Sequence, residues 1–271
     1  MSEETMVEQG SAATQAQLWG ERARDWAEIA EQAERPWLGP AYRLVLERLD
    51  IGAGTDVLDV GCGAGRFLRL AADRGARASG IDATPELLAI AGERVPEADL
   101  RQGDLQFLPF HDAAFDVVTG FNSFFYAADV VAAFRDARRV LREGGQLALT
   151  AFGRPEQCES SPLFDYLGPL MPRLAVDEDE SETHEPGVIE GLLERAGLTT
   201  TEAGYITIAE EHPDLGTVLR EWMSVGPVRL AVHNSSEDAV QAALTEGLRS
   251  LQSPDGTFRI TDEYRYVIAT S

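Results

Sequence analysis

Three carboxylates and three glycines carry the first chemical signal. The stretch "VLDVGCGAGRF" (57–67) begins as a buried strand and then places Gly61, Gly63 and Gly65 at every second position. Glycine weakens any regular element, so three together imply a tight turn that brings bare backbone close to another group. Asp59 stands two residues before the first of them. Asp82 ends the next strand-like stretch, "RASGID", and Asp104, in "GDLQFLPF", ends the third.

Two kinds of ligand use a glycine-rich turn between strand and helix. A dinucleotide pyrophosphate takes Gly-x-Gly-x-x-Gly. Here the third glycine comes one residue early and Arg66 fills the expected place. A nucleoside without phosphate takes Asp-x-Gly-x-Gly-x-Gly, which matches. S-adenosylmethionine is such a ligand, with a sulfonium, an ammonium and one carboxylate. Backbone N–H groups at the helix start can take the carboxylate, and nearby acids favour the two cations. Asp82 is placed to accept from ribose hydroxyls, as acids at that spacing do. Asp104 can accept from the adenine amine, with Leu105 against the ring.

The elements that must hold these residues follow from periodicity. Strands are predicted at 56–60, 77–82, 98–104, 115–121 and 146–152, alternating with helices at 65–75, 85–95 and 129–141. Strands alternating with helices argue a parallel sheet covered on both faces. A helix is expected over 15–33 and another over 41–50. Past Phe152 the alternation stops. The segment 153–185 is Pro-rich and acidic and reads as an inserted lid. A helix at 187–196, a strand at 199–209, helices at 214–224 and about 235–250, and a last strand at 256–270 complete the chain.

The stretches "VLDVGCGAGRF", "GIDAT", "GDLQFLPF", "FDVVTGFNSFFYAAD" and "VLREGGQLALT" resemble the class I, Rossmann-like, S-adenosylmethionine-dependent methyltransferases. The likeness is nearest to the ubiquinone/menaquinone-type small-molecule branch and spans about 55–152. It implies a seven-stranded sheet of order 3-2-1-4-5-7-6 with strand 7 antiparallel. It also implies a cofactor set of Asp59, Gly61, Gly63, Gly65, Asp82, Ala83, Asp104, Leu105, Phe121 and Asn122. "LWGERARDWAEIA" is similar to the branch's N-terminal cap. The division expected is a disordered tail (1–14), a helical cap (15–50), a cofactor core (51–152) and a lid plus final strands (153–271), in one domain. The product would be S-adenosylhomocysteine and a methylated small molecule.

Acceptor contacts are expected from Trp19, Phe124, Tyr126, Trp222 and Met223. His212 and His233 bracket the inserted helix and are the candidate bases, although displacement at a sulfonium methyl needs a base only when the acceptor must lose a proton. His111 and His184 read as loop and surface residues. The 23 Lys+Arg against 46 Asp+Glu leave a formal charge of −23, which disfavours nucleic acid and anionic membranes as partners. Two cysteines, Cys62 and Cys158, and four scattered histidines show no zinc spacing, so no metal is expected. No apolar run approaches a membrane span and no signal core is seen, so a cytoplasmic protein is expected. Oligomeric state is not legible. Two other readings stay open: a NAD- or FAD-dependent oxidoreductase with a degenerate fingerprint, and a non-catalytic S-adenosylmethionine-binding module.

Overall fold

The computed structural model describes residues 10–34, 37–172 and 183–271. The acidic run 177–182 and most of the expected N-terminal tail lie outside the described residues. The helix expected over 15–33 is two helices, α1 (Gly10–Gly20) and α2 (Ala23–Ile29). Residues 10–14 therefore belong to a helix and not to the tail.

Seven strands form one sheet: β1 (Asp56–Val60), β2 (Arg77–Asp82), β3 (Asp99–Gln102), β4 (Phe115–Phe121), β5 (Leu141–Phe152), β6 (Thr199–His212) and β7 (Phe258–Thr270). Their order is β3-β2-β1-β4-β5-β7-β6. The first five pair in parallel, and β7 runs antiparallel to both neighbours. This is the expected topology.

Side-chain alternation explains why the sheet is covered twice. Val57 and Val117 point to one face, where they meet Val45 and Leu46 of α3 (Gly39–Arg48) and Phe67 of α4 (Arg66–Asp73). Leu58 and Val118 point to the other, against Phe134 of α6 (Val130–Val140) and Leu193 of α8 (Val188–Arg195). Helix α5 (Pro85–Arg94) follows β2, with Pro85 at its first turn. Each fully buried Phe or Leu here is worth roughly 1.5–3 kcal/mol. The chain leaves β1 toward β2 and β3, then returns to start β4 on the other side. That reversal opens a crevice at the carboxyl edge of β1 and β4, where folds of this architecture bind ligands.

Two features go beyond the sequence reading. First, β6 and β7 are longer than β5 can pair. β5 reaches β7 only from Gln146↔Thr270 to Phe152↔Tyr264. The β6–β7 ladder continues from Thr207↔Glu263 to His212↔Phe258, so a two-stranded ribbon projects roughly 20 Å past the carboxyl edge. Second, the chain between the ribbon's ends folds as three helices: α9 (Leu215–Trp222), α10 (Gly226–Asn234) and α11 (Glu237–Leu248). Helix α10 is not among the helices expected from the sequence; Pro227 lies in its first turn, where a helix tolerates proline. With α7 (Ser161–Leu167) these helices share a core of Leu163, Val218, Val228, Leu244, Phe258 and Ile260.

Gly61, Gly63 and Gly65 have φ of +75°, +54° and +79°, which answers why the turn is glycine-rich. A Cβ on Gly61 would lie 2.4 Å from the Ser123 Cβ, and one on Gly63 2.4 Å from the Glu31 Oε1. The bare backbone therefore first accommodates the protein's own side chains. Gly61→Ala should lose about 2–5 kcal/mol in urea denaturation, combining left-handed strain and overpacking. Gly54→Ala is the control, since Gly54 has φ +93° with nothing within 4 Å of its Cβ position. It should lose only about 1–2 kcal/mol. Equal losses would mean that strain alone governs the turn.

Candidate active site

The crevice above β1–β4 is closed on one side by α1 and α2 and on the other by the ribbon and its helices. Of the expected cofactor residues, Asp59, Gly61, Gly63, Asp82, Ala83, Asp104, Leu105, Phe121 and Asn122 line this single cavity. Gly65 does not; it sits against Ala91 of α5, where a Cβ would come within 2.9 Å. Trp19, Tyr126 and Trp222 line the cavity as expected of acceptor contacts. Phe124 instead packs against Phe134 in the core, and Met223 is buried in the cap core.

Each acid is held by identifiable donors. Thr119 Oγ1 donates to Asp59 Oδ1 at 2.7 Å. The backbone N–H groups of Gly63 and Thr84 donate to the two oxygens of Asp82, at 2.9 and 2.8 Å. Each Asp82 oxygen keeps a lone pair for a ligand hydroxyl. The Gln106 N–H donates to Asp104 at 2.8 Å. Asn122 has φ +53°, and its Oδ1 accepts from Thr150 Oγ1 at 2.9 Å. That bond fixes the carboxamide and leaves Nδ2 buried without a partner at the cavity wall.

One expectation is corrected. The N–H groups at the start of α4 are not free for a ligand carboxylate. Glu31, just past α2, accepts from the N–H groups of Ala64 at 3.0 Å and Arg66 at 3.1 Å. It also accepts from Trp26 Nε1 at 2.9 Å and from Arg94 at 2.9 Å. A protein carboxylate thus fills the anion position of the glycine turn and ties the N-terminal helices to the core.

The histidines expected as bases do not reach the cavity. His233 is partly exposed and bonded to Glu21 at 2.5 Å, beside the buried Arg229 that also holds Glu21 at 2.6 Å. These contacts join α1 to α10 rather than facing a ligand. His212 is buried behind Glu210 and Glu221, which do line the cavity. The residues that sequence reasoning missed are Glu31, Trp37, Glu210, Glu221, Asp262 and Tyr264. A signal existed for three of them. Ile206, Ile208 and Glu210 share one face of β6, and Ile260, Asp262 and Tyr264 share one face of β7. Both apolar alternations run on through an acid.

Seven carboxylates line the cavity: Glu31, Asp59, Asp82, Asp104, Glu210, Glu221 and Asp262; among the described residues no Lys, Arg or His does. Burial, reinforced by Glu31 and Asp82, pushes Asp59 up to about 7 despite its Thr119 bond. Burial raises Glu210 to about 8, and burial with the nearby Glu210 charge raises Glu221 to about 8. All four tryptophans, Trp19, Trp26, Trp37 and Trp222, face the same space. Trp37 Nε1 donates to Tyr264 Oη at 2.7 Å. An anionic, aromatic-walled cleft at the switch point of a doubly wound sheet defines a binding site for a nucleoside that carries positive charge.

The comparisons agree. Residues 58–149 match the family described as "Methyltransferase domain". The chain is 31% identical over 176 residues to a demethylmenaquinone methyltransferase of Tropheryma whipplei, covering 59% of this chain and 72% of that one. It is 34% identical over 145 residues to the 27-O-demethylrifamycin SV methyltransferase of Amycolatopsis mediterranei, covering 50% and 53% respectively. The fold is similar to that of an S-adenosylmethionine-dependent methyltransferase from Mesorhizobium loti, with TM-score 0.50, 20% identity and coverage of 86% and 97%. The chain belongs to the S-adenosylmethionine-dependent methyltransferases. It is an enzyme, and S-adenosylmethionine is its cofactor. The orphaned Asn122 amide and the cation-free, acid-lined cleft fit that group.

A pH prediction follows from the raised acids. A carboxyl raised from 3.8 to about 7 binds its proton more tightly in the fold than in the unfolded chain. Its stabilising share is therefore full below pH 4 and lost as pH rises through 7. The ligand-free protein should melt at progressively lower temperature from pH 5 to 8. Asp59→Asn should flatten the lower part of that slope. S-adenosylmethionine, as a cation, should bind more tightly over the same range and release protons, detected by calorimetry in buffers of different ionisation enthalpy. Affinity that is flat or falls with pH would refute the electrostatic assignment.

Proposed function

We propose that this enzyme methylates a small, neutral or cationic acceptor held between the cofactor and the ribbon-borne cap. The observation that carries this reading is the single cavity. One end holds the β1–β4 acids, and the other is walled by Phe152, Phe164, Trp222, Ile260 and Tyr264. An anionic acceptor would meet seven acidic side chains there and, among the described residues, no cation, so the lining disfavours anions. The aromatic wall suits a partly apolar or ring-bearing molecule. Two relatives are named for methylation of demethylmenaquinone and of 27-O-demethylrifamycin SV.

In this reading Asp82 holds the ribose hydroxyls, Asp104 and Leu105 receive the adenine, and Asn122 donates to the methionine end near Asp59. The bound cofactor supplies an electrophilic methyl on its sulfonium. The chain's own contribution is alignment and exclusion of water, because the leaving thioether needs no activation. The core (51–152) then serves the cofactor, while the N-terminal helices and the cap serve the acceptor. Among the described residues no helix is long and apolar enough to cross a membrane. Both cysteines are buried and unpaired, which fits the reducing cytoplasm.

The test is a panel of phenols, alcohols and amines incubated with the protein and S-adenosylmethionine, with mass spectrometry for a product one methylene heavier. A product from carboxylate or phosphate acceptors alone would refute the charge argument. Trp222→Ala should raise the acceptor KM about tenfold or more while leaving the S-adenosylhomocysteine Kd within about twofold. One large aromatic contact is worth at least ~1.4 kcal/mol, a factor of ten. Equal losses in both would assign Trp222 to the common core. Asp104→Ala should do the reverse, weakening the cofactor by roughly tenfold or more through a lost charge-assisted bond.

A further inference from the structure

Behind the acceptor wall, Glu210, His212 and Glu221 form a cluster that methyl transfer as described does not use. Glu210 and His212 are two apart on β6 and so share a face. Glu221 comes from α9, which the insertion folds back over that strand. One donor atom from each lies within 4.8 Å of the others. His212 Nε2 is 3.6 Å from Glu210 Oε2, and its Nδ1 is 3.2 Å from Glu221 Oε2. Neither contact has the alignment of a hydrogen bond. His212 Nε2 and Glu221 Oε2 are buried with no partner at all. Their side chains are 4% and 8% exposed.

His212 and Glu221 are buried and Glu210 partly so, and the two orphaned atoms are costly unless something fills the space between them. A nearby arginine does not: Arg43 stands on the wall of an outer cleft that the three residues also line. Glu210 and Glu221 line both this cleft and the reaction cavity, whereas His212 lines only the cleft. The cluster is therefore the partition between the two spaces.

We propose that Glu210, His212 and Glu221 bind one divalent first-row transition cation, whose remaining positions face the acceptor. One imidazole and two carboxylates are a donor set suited to Mn²⁺, Fe²⁺ or Zn²⁺. Contacts of 3.2 and 3.6 Å, with all three donors within 4.8 Å of one another, fit ligands on one ion with bonds of about 2.0–2.4 Å. A cation there also supplies the positive charge that Glu210 and Glu221 lack. Its role rests on the methyltransferase reading: it would hold an acceptor oxygen and favour its deprotonated form. The acceptor class is thereby narrowed to alcohols or phenols, neutral when free and charge-matched only at this wall. Sequence spacing could not reveal the site, because the third ligand comes from a helix packed onto the strand that bears the other two.

The test separates the site from the reaction. Purified full-length protein is stripped with chelator and titrated with Mn²⁺ or Zn²⁺ alone. One ion per chain is expected. Loss of a partner outside the ligand shell already costs ~10–100-fold in metal affinity, so Glu221→Gln and Glu210→Gln should each cost at least 100-fold. S-adenosylhomocysteine binding, followed by tryptophan fluorescence, should persist in both and shows that they are folded. On the unaltered protein, Mn²⁺ with ¹⁵N-histidine should show nitrogen coupling by pulsed electron paramagnetic resonance. No stoichiometric ion, no nitrogen coupling, or undiminished binding in folded Glu→Gln variants would each overturn the site. Metal bound as described with no methylated product would leave the site standing and refute the function proposed for the cavity.

Discussion

A buried carboxylate must keep a proton, accept several hydrogen bonds or face a cation. Every part of this molecule that reaches the cleft answers to that requirement. Glu31 meets it with four donors from the glycine turn, Trp26 and Arg94. Asp82 meets it with two backbone N–H groups. Asp59 has one hydroxyl and a raised pKa, so it keeps a proton for part of the physiological range. The glycines, the Asn122 conformation and the N-terminal helices are arranged around these solutions. The cleft is thus prepared for positive charge before any arrives, and the binding of a cation relieves a cost that folding has already met.

The second organising feature is the overlong β6–β7 ladder. A sheet whose last strands merely matched β5 would end at Tyr264 and leave the cofactor open to water. Extending the ladder to His212↔Phe258 lifts Glu210, Ile260 and Asp262 above the edge and provides the base on which α9 to α11 rest. The cap is then anchored to α1 and α2 by Arg220 with Asp25 at 2.6 Å and by Arg229 with Glu21 at 2.6 Å. The Arg220 pair is partly exposed and weak on its own, whereas the Arg229 guanidinium is buried. The Trp37–Tyr264 bond and the edge-to-face contact of Trp26 with Trp37 beside it supply the apolar part of the same seam.

How much of this was legible in the chain follows from where the physics is local. Strands β1 to β5 and their helices announce themselves because period and turn residues act within a dozen positions. Asp59, Asp82 and Asp104 were legible for the same reason: each sits where its own strand ends. The acceptor wall was not, because it depends on contacts between distant segments. Glu31 reads as an ordinary helix-end acid until α2 is placed over the glycine turn. Glu210 reads as a surface residue until the ribbon is known to outrun the sheet. His212 and His233 are candidate bases by their chemistry and by their place on either side of the inserted helix, yet neither lines the cavity. Trp222 and Met223 read as one stripe, yet packing divides them between cavity and core.

The insertion that forms the cap leaves the sheet at His212 and rejoins it at Phe258, and these two residues are ladder partners. Its ends are therefore about 5 Å apart, the spacing of neighbouring strands. A segment with such ends can be lengthened, shortened or replaced with little change in the entropy of closing the loop. Under the proposed division, the acids assigned to the cofactor stand at the ends of β1 to β3 and lie outside this segment, so an exchange at its single two-residue junction would leave them in place.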